Sequence, residues 1–230
     1  MTKPELIAAN LARLRGRIAA AARQAGRSVD SVTLLGAGKS QPAAAVAAAA
    51  AAGLAHVGES YVQEALARMD ALADLPVTWH FIGALQANKT RPVAERFAWV
   101  HGVERLKIAE RLSQQRPFHA PPLNVCLQVN IGGELTKSGA EPAEVPALAA
   151  AVARLPRLKL RGLMCLPPPE AEPARQRAWL HRLRALFDEL NAGGAGLDTL
   201  SMGMSADLES AVLEGATIVR VGTDLFGPRR

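Results

Sequence analysis

Aromatic residues are scarce in this chain, at 4% of 230 residues, which leaves little surface for stacking on nucleic-acid bases. Cysteine is rarer still. The two present, Cys126 and Cys165, lie inside apolar strand-like runs, where a thiol behaves as a small hydrophobe. Two such residues make neither a disulfide framework nor a metal cluster, and they point to a reducing compartment. Long apolar runs are also missing: residues 43–52 form the nearest candidate, ten residues before Gly53, against the ~20 a membrane-spanning helix needs. The opening Met1-Thr2-Lys3-Pro4-Glu5 lacks the basic-then-apolar order of an export signal, and Arg13, Arg15 and Arg17 interrupt the apolar residues of the next stretch. A cytoplasmic protein with no membrane partner is expected. Acidic residues are outnumbered, giving a net charge of +6, yet the arginines are scattered and form no dense basic window. Nucleic acid is therefore not an expected partner, whereas a phosphorylated small molecule suits this charge.

What is present is ordinary for a globular chain, with 49% hydrophobic and 21% charged residues, so disorder is excluded. After an amphipathic opening segment, residues 4–25, short apolar runs alternate with helical stretches. The runs lie at residues 32–37, 54–58, 77–83, 98–103, 123–130, 158–166, 199–202 and 217–222. Helical patterns fill residues 43–52, 62–72, 88–96, 106–115, 145–154, 173–190 and 206–214. Such alternation is the signature of strand-helix units with a parallel sheet. Eight of them in a chain of this length predict an α/β fold of the (β/α)8 TIM type, with an extra N-terminal helix, as one domain over residues 1–230. An open doubly wound sheet is the alternative, but Gly36-Ala37-Gly38-Lys39 does not supply the dinucleotide fingerprint that usually comes after its first strand.

In a barrel the C-terminal ends of the strands gather into one rim, and chemistry resides there. Lys39 closes the first strand and precedes Ser40-Gln41-Pro42. A lysine in a partly closed mouth has its pKa lowered by desolvation and becomes nucleophilic toward an aldehyde, although in an open loop it is a solvated cation. Across the rim, Leu200-Ser201-Met202-Gly203-Met204 and Val219-Arg220-Val221-Gly222-Thr223 mark strands seven and eight and the loops after them, where such barrels often bind phosphate. Either segment alone is also plain turn chemistry. Ser205 is a candidate N-cap for the next helix. Arg220 stands in an otherwise apolar strand; pointing inward, it requires an acceptor such as an aromatic nitrogen, and pointing outward it pairs with a helix carboxylate. A lysine, a phosphate cradle and a ring-nitrogen arginine together describe pyridoxal phosphate held as a lysine Schiff base. A barrel binding some other phosphate, with Lys39 as a charge partner, stays open.

Further motifs carry a family resemblance: Gly58-Glu59-Ser60-Tyr61-Val62-Gln63-Glu64, Trp79-His80-Phe81-Ile82-Gly83, Gln128-Val129-Asn130-Ile131, Thr136-Lys137-Ser138-Gly139, Gly162-Leu163-Met164, and Leu200 to Ser205 with Asp207-Leu208-Glu209. In these the chain resembles the pyridoxal-phosphate homeostasis proteins, the YggS-like family of the alanine-racemase barrel type (fold type III), over residues 34–227. The resemblance implies cofactor contacts at Lys39, Ser60, His80, Met164, Ser201, Gly203, Met204, Arg220, Gly222 and Thr223, with Lys39 as the imine partner. It implies a role in intracellular vitamin B6 homeostasis, with pyridoxal-phosphate-dependent apoenzymes as recipients. Ser60 stands where the family usually has asparagine, Ala84 where a larger residue is common, and Lys137 is a candidate second amine. Related racemases take their opposing base from a tyrosine of an additional C-terminal domain. Here the one tyrosine is Tyr61, so a monomeric carrier without robust catalysis is expected. The alternative is a small amino-acid racemase in which Lys39 works with Lys137, His80 or water as the opposing base.

Overall fold

A computed structural model describes residues 2–134 and 138–227. The eight expected strands form, as β1 Thr33–Ala37, β2 His56–Glu59, β3 Thr78–Phe81, β4 Trp99–Val103, β5 Leu123–Val129, β6 Leu158–Cys165, β7 Thr199–Ser201 and β8 Ile218–Val221. They pair in parallel in sequence order, and β8 returns to β1, where Leu35 stands opposite Arg220, to close the barrel. An open sheet is thereby excluded.

Nine α-helices are described: α1 Lys3–Gln24, α2 Ala43–Ala51, α3 Val62–Ala71, α4 Thr90–Arg96, α5 Leu106–Gln115, α6 Val145–Ala153, α7 Pro173–Ala192, α8 Leu208–Leu213 and α9 Thr223–Phe226. In α1, Ile7, Leu11, Leu14, Ile18, Ala21 and Ala22 are buried at helical spacing, so one stripe faces the barrel layer. Thr2 at its start donates its backbone N–H to Glu5 Oε2 at 2.8 Å, one half of a capping box. The alanines of α2 let it lie close to the barrel, with Ala45, Val46 and Ala49 fully covered.

Two departures from the sequence expectation sit at the rim. Ser205 does not cap α8: Asp207 is the cap residue, and its Oδ1 accepts from the Met204 N–H at 2.6 Å, closing residues 204–207 into a loop of their own. The short α9 is unforeseen because four residues carry no period. Close approach dictates Gly162, whose Cβ would stand 1.7 Å from the Thr199 carbonyl oxygen, so β6 and β7 meet there without room for a side chain.

Candidate functional site

Lys39 is half-buried just beyond β1. The turn that carries it is braced from several sides. Ser40 adopts φ 60°, in the left-handed region, and the Gln41 N–H returns to the Gly38 carbonyl at 3.0 Å. From α3, Arg68 donates to the Gln41 carbonyl at 2.5 Å and to Glu59 Oε1. Glu59, which follows the second apolar run and would there be expected at the rim, is fully covered beneath this turn, and a Cβ on Gly38 would stand 2.9 Å from its Oε1. Burial raises its pKa, and the Arg68 guanidinium works against that rise.

A cavity of roughly 270 Å³ opens beside Lys39. Its wall includes Lys39, Ser60, Met204, Arg220, Gly222 and Thr223, six of the residues singled out in the sequence, together with Gln41, Ser205, Ile82 and Leu166. A larger cleft of roughly 740 Å³ shares Lys39, Ser60, Ile82 and Leu166 and extends past Tyr61, Gln86 and Lys89. Gly222 forms part of the cavity wall next to Ala37, and Thr223 starts α9, where the Asp224 N–H meets Ser205 Oγ at 3.4 Å and the Leu225 N–H the Gly222 carbonyl at 3.1 Å. Gly203 lies in the turn after β7 with φ 94°, and a Cβ there would meet Ala211 Cβ at 2.4 Å. Only glycine permits both that φ and that proximity.

The inward orientation is the one Arg220 takes. It is buried, donating from Nη1 to Ser201 Oγ at 2.8 Å and from Nη2 to the Cys165 carbonyl at 2.8 Å. Burial lowers its pKa from the ordinary value, and nearby Cys165 and Asp207 oppose that. Ser201, read in the sequence as a phosphate contact, is fully covered one layer below, its hydroxyl held between Arg220 and His101; Ser205 reaches the cavity wall instead. Met164 and His80 are likewise fully buried and do not line the cavity. Both ring nitrogens of His80 are taken, Nε2 by His56 Nδ1 at 3.0 Å and Nδ1 by His101 Nε2 at 2.9 Å. The two cysteines are buried and free, and burial pushes each thiol up to about 12, so both are inert at neutral pH. Lys137 lies outside the described residues.

Sequence reasoning missed His56 and His101, and it named Gln41 and Ser205 without giving either a place on the cavity wall: Gln41 only follows Lys39 in the sequence, and Ser205 was read as a helix cap. The histidines are single polar residues in apolar strands, and no local pattern reveals that β4 faces β7 across the barrel.

A closed parallel barrel with lysine, arginine and a glycine turn meeting at its C-terminal rim defines an alanine-racemase-type barrel. A model of the alanine racemase N-terminal domain family matches residues 9–230. The chain is 60% identical over 223 residues to the pyridoxal phosphate homeostasis protein of Pseudomonas aeruginosa, covering 97% of this chain and 96% of that one. Against the Escherichia coli protein of the same name identity is 50% over 226 residues, covering 97% of each. PipY of Synechococcus elongatus, solved with pyridoxal phosphate bound, superposes with a TM-score of 0.83 at 39% identity, over 96% of this chain and 100% of that one. Alanine racemase from Corynebacterium glutamicum has the same fold, with a TM-score of 0.74 at 16% identity over 98% of this chain and 61% of that one. The chain belongs to the pyridoxal phosphate homeostasis protein family.

Proposed function

We propose that this chain binds pyridoxal phosphate in the cavity at the barrel mouth and takes part in vitamin B6 homeostasis by holding the cofactor and handing it, as a cytoplasmic monomer, to apoenzymes that need it. The observation that carries this reading is the meeting of Lys39, Arg220 and Gly222-Thr223 on the wall of one cavity. The bound cofactor supplies an aldehyde, a pyridine nitrogen and a phosphate, and the wall offers each a matching group. The Lys39 amine holds the aldehyde as a Schiff base. Arg220 has N–H groups beyond the two given to Ser201 and Cys165, and these donate to the ring nitrogen. The Gly222-Thr223 turn takes the phosphate.

An arginine at the ring nitrogen discourages its protonation and weakens the ring as an electron sink, although racemases of this fold type work with such an arginine. One further feature favours holding over turnover. His80, one candidate for the opposing base of a racemase, is fully covered with both nitrogens bonded. The relatives named for pyridoxal phosphate homeostasis and the cofactor-bound PipY structure support the binding of the cofactor and the homeostasis role.

Titration of pyridoxal phosphate into purified protein, followed by visible absorbance, is expected to saturate; L-alanine and L-serine incubated with the loaded protein are expected to give no D-isomer above free cofactor by chiral chromatography. Failure to take up the cofactor contradicts the binding claim. Racemisation above the free-cofactor rate contradicts the carrier role.

A further inference from the structure

Five side chains join through the barrel interior. His56 on β2 contacts His80 on β3, His80 contacts His101 on β4, His101 Nδ1 lies 2.7 Å from Ser201 Oγ on β7, and Ser201 accepts from Arg220 on β8. Since β4 and β7 are not neighbours in the sheet, the His101–Ser201 bond crosses the lumen. The chain also climbs the barrel. His56 is the first residue of its strand and lines a cavity of roughly 350 Å³ beneath α1, while Ser201 ends β7 under the mouth. His80, His101 and Ser201 are fully covered, so each polar atom in the row requires a partner.

The direction of donation is set by chemistry. Arginine has donors and no acceptor, so Ser201 Oγ must accept from Nη1. The described partners of that hydroxyl are Arg220 and His101, so its own proton goes to His101 Nδ1. His101 must then carry its proton on Nε2 and give it to His80 Nδ1, and His80 must carry its proton on Nε2 and give it to His56 Nδ1. In the opposite direction the oxygen would accept twice, as its two lone pairs allow, but the hydroxyl proton would be left without a described acceptor. Burial lowers the pKa of all three imidazoles, which agrees with a neutral row.

We propose that Ser201, His101, His80 and His56 form a hydrogen-bond chain of fixed direction that orients the Arg220 guanidinium toward the cofactor cavity, making them positioning residues for the ring-nitrogen contact. The orienting claim rests on the pyridoxal phosphate reading of the cavity; the direction of the chain does not.

The test has two arms. Nitrogen-15 spectra of the ligand-free protein are expected to show His101 and His80 as neutral imidazoles protonated on Nε2. His101→Phe is expected to shift the Arg220 guanidinium resonances and to weaken pyridoxal phosphate binding about tenfold, the effect of losing one supporting hydrogen bond, and His101→Gln to recover part of both. Ser201→Ala removes a single atom and is expected to disturb the same resonances, which covers the case in which His101→Phe does not fold. Protonation of His101 on Nδ1 overturns the proposal, as do Arg220 resonances unmoved in both variants or cofactor affinity unmoved in both. Failure of the unaltered protein to take up the cofactor overturns the orienting claim together with the cavity reading, while the spectra alone decide the direction.

Discussion

At the scale of single residues, the Lys39 turn depends on charges that never reach solvent. Glu59 is fully covered and Arg68 nearly so, and Arg68 bridges Glu59 to the backbone of the turn. Among the described residues Glu59 Oε2 is buried without a hydrogen bond and Arg68 is the cation paired with the carboxylate. Removing one member of a buried pair strands the other. Arg68→Ala should therefore cost about 3–5 kcal/mol in urea unfolding and should loosen the Lys39 turn, whereas a cost near zero would mean that water or another cation replaces the guanidinium. None of this was legible locally. Glu59 reads as a rim residue from its place after the second apolar run, and Arg68 as an ordinary helix cation; the ion pair appears only once α3 is laid against the strand ends. Arg220 was better marked, because a charge in an apolar strand must find an acceptor.

At the scale of elements, α1 fastens the two loops that close the far side of the cavity. Arg17 bonds Glu209 and Asp224 by its side chain and the Ser205 carbonyl at 3.1 Å, while Asn10 reaches the Leu225 carbonyl at 3.1 Å. Those bonds tie the loops after β7 and β8 to a helix outside the eightfold repeat. Because the Arg17 side chain is 25% exposed, Arg17→Ala should lower stability by about 1 kcal/mol, and less in high salt. An effect unchanged between low and high salt would point to packing by the arginine stem instead. The strands and helices themselves were legible because each apolar run is punctuated by glycine, proline or a charge. Most strands were read one or two residues long at one end or both, since flanking apolar residues such as Val32 and Leu54 continue the run while pairing starts later, whereas β2 and α7 each run past the expected end, to Glu59 and Ala192. Polarity alone could not separate Ser205 from Asp207 at the start of α8; the helix starts at Leu208, which puts Asp207 in the cap position, though its Oδ1 accepts from the Met204 N–H of the preceding loop and makes no capping bond.

At the scale of the molecule, a lumen holding neutral histidines makes stability depend on pH. Burial takes His101 from 6.5 down to about 3, with the Arg220 charge adding to the effect, and His80 falls well below its ordinary value for the same reason. The unfolded chain therefore takes up protons first as pH drops. The stability contributed is complete above pH 6.5 and is lost as pH falls toward 3. The groups facing His101 are His80 from β3, Ser201 from β7 and Arg220 from β8, and Arg220 in turn lies near Cys126 and Cys165 on β5 and β6. Melting temperature should fall steadily from pH 7 to pH 4, and the slope should flatten in His101→Gln; equal slopes would mean that the carboxylates alone set the dependence. The barrel as a whole was legible from the count and spacing of its strands, but which interior residues touch across it was not, because that depends on closure. The most direct measurement of the Lys39 link is borohydride reduction of the protein loaded with pyridoxal phosphate, followed by peptide mass mapping. A phosphopyridoxyl group on Lys39, absent in Lys39→Ala, is the predicted result; a group found on another lysine, or on none, would contradict it.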